Sequence, residues 1–289
     1  MIPSSFDYHA PGDLAEALAL LAEHGDEAKV LSGGQSLLPL LKLRLGEAGH
    51  LIDINRIPGL EYIREEGDHL AIGGRTRESA LERSELIAER YPLLADAAAV
   101  VADPLVRNLA TLGGNLAHGD PANDHPAAML ALRATIVATG PNGERAIPID
   151  DFFPGFFETA LSSGEILTEI RIPRPAAGSG GSYKKLERKV GDFATAAAAV
   201  QITVSGGEVT AAGIALTNVN PSPKRAADAE GFLVGGAASD ERFAEAARLA
   251  AAACQPSADR RGAVEYKREM ARVLTHRALT AAHQRAGGS

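Results

Sequence analysis

The segment AKVLSGGQS, residues 28–36, is a short apolar strand that breaks into paired glycines. Glycine admits positive φ and lets a backbone approach a ligand with no Cβ in between. Successive N–H groups in such a turn form a concave nest that favours anions. The serine and glutamine side chains add hydrogen bonds without negative charge. A second segment, TLGGN at 111–115, repeats the design. Two nests together would suit a pyrophosphate gripped from both sides. The alternative is that both are turn glycines after strands, as Gly206-Gly207 and Gly235-Gly236 are taken to be. No G-x-G-x-x-G follows the first strand and no G-x-x-x-x-G-K-[ST] occurs, so an ordinary Rossmann site is disfavoured and a P-loop is excluded.

Around the first glycine pair lies a compact β–α–β type unit. Asp13 and Glu16 form a capping box, Leu14, Leu18 and Leu21 follow at helical spacing, and Gly25 marks the stop. LIDINR (51–56) is a further strand. From Ile57 to about Pro175, HLAIGG (69–74) predicts a strand, and 76–89 and 93–101 predict helices. The stretch 101–127 is expected to be a long irregular and therefore functional loop. ATIVATGPNGERAIPI (134–149) is a hairpin around P-N-G, and EILTEIRIP (165–173) is a strand. PRPAAGSGGS (173–182) has the composition of a linker. An antiparallel meander follows, turning at Gly206-Gly207, and the tail from about Asp240 is helical. Tyr266, Met270, Val273, Leu274 and Ala281 are expected to line one face of the last helix. The expected units are thus 1–56, 57–175 and 176–289.

Composition narrows the function. Of 289 residues, 45% are hydrophobic and 23% charged, as in soluble globular chains, and Gly reaches 30. The net charge of −8 argues against nucleic acid. No leader or membrane-length apolar run is evident, which points to a cytoplasmic protein. The single cysteine, Cys254, suits a reducing compartment and cannot supply an iron–sulfur cluster. It is expected to be a core or interface thiol. No G-x-S-x-G elbow occurs. In HGDPANDH (118–125), His118, Asp120, Asp124 and His125 could be weighed as metal ligands, but their spacing on irregular backbone favours Asp124 as a hydrogen-bond acceptor for a ligand. Phe193, after Asp192, could lie against a planar ring. No catalytic residue and no metal ligand is assigned.

SGGQS, TLGGN, GDFATAAAAV (191–200), TNVNPSP (217–223) and SADRRGAVEYKREMARVL (257–274) occur in the order seen in molybdenum hydroxylase flavoproteins. Over essentially its whole length the chain resembles the medium, FAD-binding subunits of aerobic carbon monoxide dehydrogenases. The resemblance implies an α+β fold: a two-part FAD-binding domain of the vanillyl-alcohol-oxidase or PCMH type, then a smaller C-terminal α+β domain with an antiparallel sheet and helices. It implies FAD bound by Ser32, Gly33, Gly34, Gln35, Ser36, Thr111, Gly113, Gly114, Asn115, Asp124, Leu161, Lys185 and Phe193. The register at Lys185 competes with Lys184, and Phe193 stands where the carbon monoxide enzymes resemble one another in having tyrosine. It implies a small subunit with [2Fe-2S] clusters and a large molybdopterin subunit, in a dimer of heterotrimers, and electrons passed on to a quinone or similar acceptor. Equivalent subunits of aldehyde, purine or aromatic-heterocycle hydroxylases fit the same residues, and a self-contained FAD oxidase is the rival of another class. Valine at Gly33 or Gly114 is expected to abolish FAD retention in a chain that still folds.

Overall fold

The computed structural model describes residues 2–287, which form three sheets in chain order. The first unit comprises β1 (Asp7–His9), α1 (Leu14–His24), β2 (Ala28–Leu31), α2 (Leu37–Leu43) and β3 (His50–Asp53). Its strands are all parallel, in the order β1-β3-β2. Asp13 caps α1 by accepting from the Glu16 N–H at 2.8 Å, while the Glu16 carboxylate returns to the Gly12 N–H. The helix ends at Gly25, as expected, where φ is 51°.

The second unit comprises β4 (Ile63–Glu66), β5 (His69–Gly73), α3 (Glu78–Arg83), α4 (Glu85–Arg90), α5 (Pro92–Ala99), α6 (Pro104–Arg107), α7 (Leu112–Ala117), α8 (Asp124–Ala131), β6 (Thr135–Gly140), β7 (Gly143–Pro148) and β8 (Ile166–Pro173). Its sheet is antiparallel in the order β4-β5-β8-β6-β7, with the expected hairpin turning at Pro141 and Asn142. The single helix expected over 76–89 is two. Ser84 ends α3 and caps α4, its hydroxyl accepting from the Ile87 N–H.

The irregular loop expected at 101–127 is instead largely helical. Asp103 caps α6 through the N–H groups of Leu105 and Val106, and Pro104 takes the first helical position, where no N–H is missed. Thr111 caps α7. All of α8 is buried, packed on β10 and β11 of the third sheet and against α5.

The third unit comprises β9 (Ser179–Leu186), β10 (Ala196–Ser205), β11 (Glu208–Thr217), β12 (Lys224–Arg225), α9 (Ala227–Leu233), α10 (Asp240–Ala252) and α11 (Val264–Arg285), its sheet ordered β12-β11-β10-β9. The expected meander is there, but half of the expected linker is not a linker. Ser179–Ser182 begin β9, and Gly180 and Gly181 are buried. A Cβ on Gly180 would lie 2.0 Å from the carbonyl oxygen of Ala282, so this glycine serves close packing of α11 rather than flexibility. One core runs from Leu70 and Ile72 of β5 through α5 and α8 to Ala197, Ala199 and Ala215 of the third sheet. The sheet's other face packs on α9, α10 and α11.

The stripe expected on α11 is displaced. Tyr266 is exposed, and Met270, Val273 and Ala281 are only partly buried. The inward face is Lys267, Ala271, Leu274, Thr275, Ala278, Leu279 and Ala282. Small residues win because α11 lies close against β9 and β10, where a larger side chain would not fit. Lys267 is tolerated there because Asp259 accepts from its ammonium at 2.8 Å.

Candidate functional site

The loop after β2 and the turn after β3 open onto a cleft of about 530 Å³, within the range of cofactor sites. Ser32, Gly33, Gly34, Gln35, Ser36, Thr111, Gly113, Gly114, Asn115, Asp124, Leu161, Lys185 and Phe193 all line it. The structure brings together every residue of the expected set.

The two glycine segments touch. Ser32 Oγ and Thr111 Oγ1 share a hydrogen bond of 2.9 Å. A Cβ on Gly33 would lie 2.6 Å from the Leu109 carbonyl oxygen and 2.7 Å from Ala110 Cα. Arg77 ties the segments from behind, donating to the Leu109 carbonyl and, at 2.6 Å, to Asn55 Oδ1. Asn55 Nδ2 in turn donates to the Ser32 carbonyl at 2.7 Å.

Their amides differ. Gly34 has φ 72°, and among the described residues the N–H groups of Gly33, Gly34, Gln35 and Ser36 donate to no protein acceptor. The Gln35 amide folds back onto the Gly33 carbonyl at 3.2 Å. This is the expected nest. The second segment is not one. Leu112 N–H donates to Thr76 O, Gly113 N–H to Gly74 O, Gly114 N–H to Thr111 Oγ1 and Asn115 N–H to Thr111 O, at 2.9–3.2 Å. Gly113 is required because its Cβ would lie 2.3 Å from the Gly74 carbonyl oxygen. What this segment offers the cleft is the Asn115 side chain, whose Oδ1 is buried without a protein partner among the described residues. An orphaned buried acceptor costs about 1–3 kcal/mol, which a ligand hydroxyl or N–H would relieve. The open amides and this acceptor fit a dinucleotide cofactor. Valine at Gly33 would clash with backbone, so its effect is not confined to the ligand. Valine at Gly114 would press on the Thr111 cap at 2.8 Å.

Asp124 opens α8 and is almost fully buried. Tyr183 donates its O–H to Oδ1 at 2.7 Å, and Lys185 Nζ donates to Oδ2 at 2.9 Å. Lys185 also donates to the Val100 carbonyl, and the Tyr183 hydroxyl meets Thr217 Oγ1 at 2.8 Å. Burial raises the Asp124 carboxyl above the usual carboxylate range against the pull of the Lys185 ammonium. Burial, then the Asp124 charge, raises the Tyr183 hydroxyl. A carboxylate has about four acceptor positions, so a ligand can still be bound here. Strand alternation puts the two lysines of the expected register on opposite faces. Tyr183 and Lys185 share one face, and Lys185 reaches the cleft.

His118 lines the cleft with Asp124, but none of His118, Asp120 and His125 hydrogen-bonds to it among the described residues. Asp120 accepts from the Ala122 N–H, and His118 stands edge-on to Phe157. His125 lies fully buried 2.6 Å from Glu78. Burial disfavours the charged imidazole, but the facing Glu78 carboxylate outweighs it and raises His125 above its ordinary value. At the far wall Phe193 is 48% exposed beside Leu161 on the cleft lining. Asp192 anchors that loop. Hydrogen bonding from Arg261, joined by Arg188 and opposed by burial, holds its carboxyl down at about 2. Burial pushes the Cys254 thiol up to about 12, which makes it the expected inert core residue.

Sequence reasoning missed Asn55, Arg77 and Tyr183. Tyr183 was reachable, since the period of 2 pairs it with Lys185. Asn55 and Arg77 carry no local signal, because what they join is distant in the chain.

Residues 4–175 match the family described as the FAD binding domain in molybdopterin dehydrogenase, and residues 181–282 match the carbon monoxide dehydrogenase flavoprotein C-terminal domain. The chain is 50% identical over 285 residues to the carbon monoxide dehydrogenase medium chain of Hydrogenophaga pseudoflava, covering 99% of each. It is 46% identical over 286 residues to the corresponding chain of Afipia carboxidovorans, again covering 99% of each. A solved chain of the Hydrogenophaga pseudoflava enzyme, in a form lacking the Mo-pyranopterin moiety of its molybdenum cofactor, superposes with a TM-score of 0.96 at 52% identity, covering 99% of both chains. The chain belongs to the FAD-binding flavoprotein family of the molybdopterin dehydrogenases, with a two-part FAD-binding domain and a C-terminal flavoprotein domain.

Proposed function

We propose that this chain is the FAD-carrying electron-transfer subunit of a carbon monoxide dehydrogenase, working in a heteromeric complex with a small [2Fe-2S] subunit and a large molybdopterin subunit. The observation that carries the reading is the row of open amides from Gly33 to Ser36 at the cleft, in a chain half identical to a carbon monoxide dehydrogenase medium chain over its whole length. Bound there, FAD supplies one- and two-electron chemistry, which couples single-electron donors to a quinone or similar acceptor. The chain's own residues bind and orient. The Gly33–Ser36 amides would hold the pyrophosphate, with the Ser32–Thr111 contact fixing their height. Asn115 would accept from a ligand donor at its orphaned oxygen. Asp124, held by Tyr183 and Lys185, would accept from a ribityl hydroxyl or ring N–H. Leu161 and Phe193 would flank the ring, and phenylalanine there keeps a stacking surface without a hydroxyl.

We assign the FAD-binding parts to 1–56 and 57–175 and the C-terminal domain to 176–289. No helix among the described residues is long and apolar enough to cross a membrane, and the proposed setting is the cytoplasm, with any membrane contact made through the acceptor alone. Two copies of the heterotrimer are the proposed assembly. The test is the native complex. It should show a flavin spectrum and three chain sizes, and should reduce an artificial acceptor with carbon monoxide. Activity with an aldehyde or purine but not carbon monoxide would move the chain to a sister hydroxylase. Turnover by the isolated chain would contradict the subunit reading.

A further inference from the structure

Outside the cleft, the first unit carries a cluster of three histidines from three separate elements. His9 ends β1, His24 lies in the last turn of α1, and His50 begins β3. One ring nitrogen from each lies within 4.8 Å of the other two. His9 Nε2 is 3.1 Å from His50 Nδ1, and the His24 ring stacks on His50 with centroids 3.6 Å apart and planes 7° apart. All three are half-buried, none lines the cleft, and among the described residues none is in an ion pair with a carboxylate.

We propose that His9, His24 and His50 form a site for one divalent transition-metal ion of the zinc class. Neutral imidazole nitrogens are the ligands such ions prefer, whereas calcium and magnesium demand oxygen. Zinc–nitrogen bonds near 2.0–2.1 Å in a tetrahedron place the ligand atoms about 3.4 Å apart, close to the His9–His50 separation already present. Parallel rings cannot both aim a lone pair at one centre, so ligation by His24 and His50 together needs the stack to open. Rotation of the His24 ring about its Cβ–Cγ bond breaks the stack and turns its nitrogen toward the other two. Three ligands leave a fourth position for water.

The site has a structural use. β1 is a three-residue strand at the edge of the first sheet, held by β3 alone. An ion shared by β1, β3 and α1 staples that edge and the helix to the strand beside β2, which carries the SGGQS loop at its other end. Ligation uses the neutral rings, so the ion displaces protons when it binds.

Zinc alone, added to the metal-stripped chain, tests this by calorimetric titration and thermal unfolding. The expected result is one equivalent bound with proton release, and a transition temperature that rises with zinc concentration. His24→Ala and His9→Gln should each weaken binding at least about tenfold and lose the thermal shift. His276→Ala, on α11 away from the cluster, should leave both unchanged. FAD content should hold in every variant, which separates a metal effect from damage to the cleft. No stoichiometric binding to the wild type overturns the proposal, and so does unchanged affinity in His24→Ala. Should His9→Gln fail to fold, His24→Ala at the helix end decides alone.

Discussion

SGGQS and TLGGN share a glycine pair flanked by hydroxyl and amide side chains, and they behave oppositely. In the first, the chain leaves β2, turns at a positive φ on Gly34, and leaves four consecutive amides with no protein acceptor among the described residues. In the second, every amide from Leu112 to Asn115 is engaged by the protein, and Gly113 lets α7 lie against Gly74. The first segment turns its open amides to the cleft, and the second packs against the first. A glycine pair in a sequence therefore says that something approaches closely, but not whether that something is a ligand or the protein's own backbone.

The largest effect expected on that contrast comes from Gly113→Val. A side chain 2.3 Å from the Gly74 oxygen has no room, and the loss should be about 3 kcal/mol or more, read as a chain that no longer unfolds cooperatively in denaturant. A folded Gly113→Val chain would mean the second segment is looser than its hydrogen bonds imply. Glu78→Gln comes next. The Glu78 N–H holds the Ala110 carbonyl, and its carboxylate faces the fully buried His125, so breaking the pair should cost about 3–5 kcal/mol. The pH dependence has a definite sign. Because His125 is raised above 6.5 in the folded chain, its contribution is complete below that value and is lost as pH rises through the folded pKa. Denaturant midpoints followed upward from about pH 6 should fall in the wild type and lose that component in Glu78→Gln.

Arg77→Ala removes the tie between the segments. It should lower stability by about 2 kcal/mol, as for hydrogen bonds to a charged group, and should weaken FAD as well. An effect on stability alone would show that the two segments align without it. The smallest effect is the most selective. Gln35→Glu puts a negative charge beside the open amides and should weaken FAD about tenfold, from roughly 1 kcal/mol or more of repulsion, while the apo chain loses only the Gln35–Gly33 hydrogen bond, about 1 kcal/mol. Equal FAD affinity in Gln35→Glu would place the phosphates elsewhere.

Much of the site was legible because its signals are local. Paired glycines with hydroxyl and amide neighbours marked both segments, and family resemblance carried Asp124, Leu161, Lys185 and Phe193 to the same cleft. The helices of 101–127 were also signalled, by Asp103-Pro104 and Thr111, but the prolines and glycines there suggested a loop. Gly180 and Gly181 had the composition of a linker and became a buried strand because α11 packs where a side chain on Gly180 would stand, and Gln201 and Leu93 where one on Gly181 would. The displaced face of α11 has the same origin. A pattern that favours large apolar residues cannot see a contact made by alanines against glycines. Arg77 and Asn55 lay beyond reach, since their partners at Leu109 and Ser32 become neighbours only once the fold exists.

The central claim, that the first segment's amides take the diphosphate while the second's stay with the protein, is tested most directly by backbone amide NMR of the labelled chain titrated with ADP, which carries the pyrophosphate without the flavin. The account predicts large downfield shifts at Gly33, Gly34, Gln35 and Ser36, with Leu112 to Asn115 little changed. Shifts centred on Leu112 to Asn115, with the first segment unmoved, would contradict it.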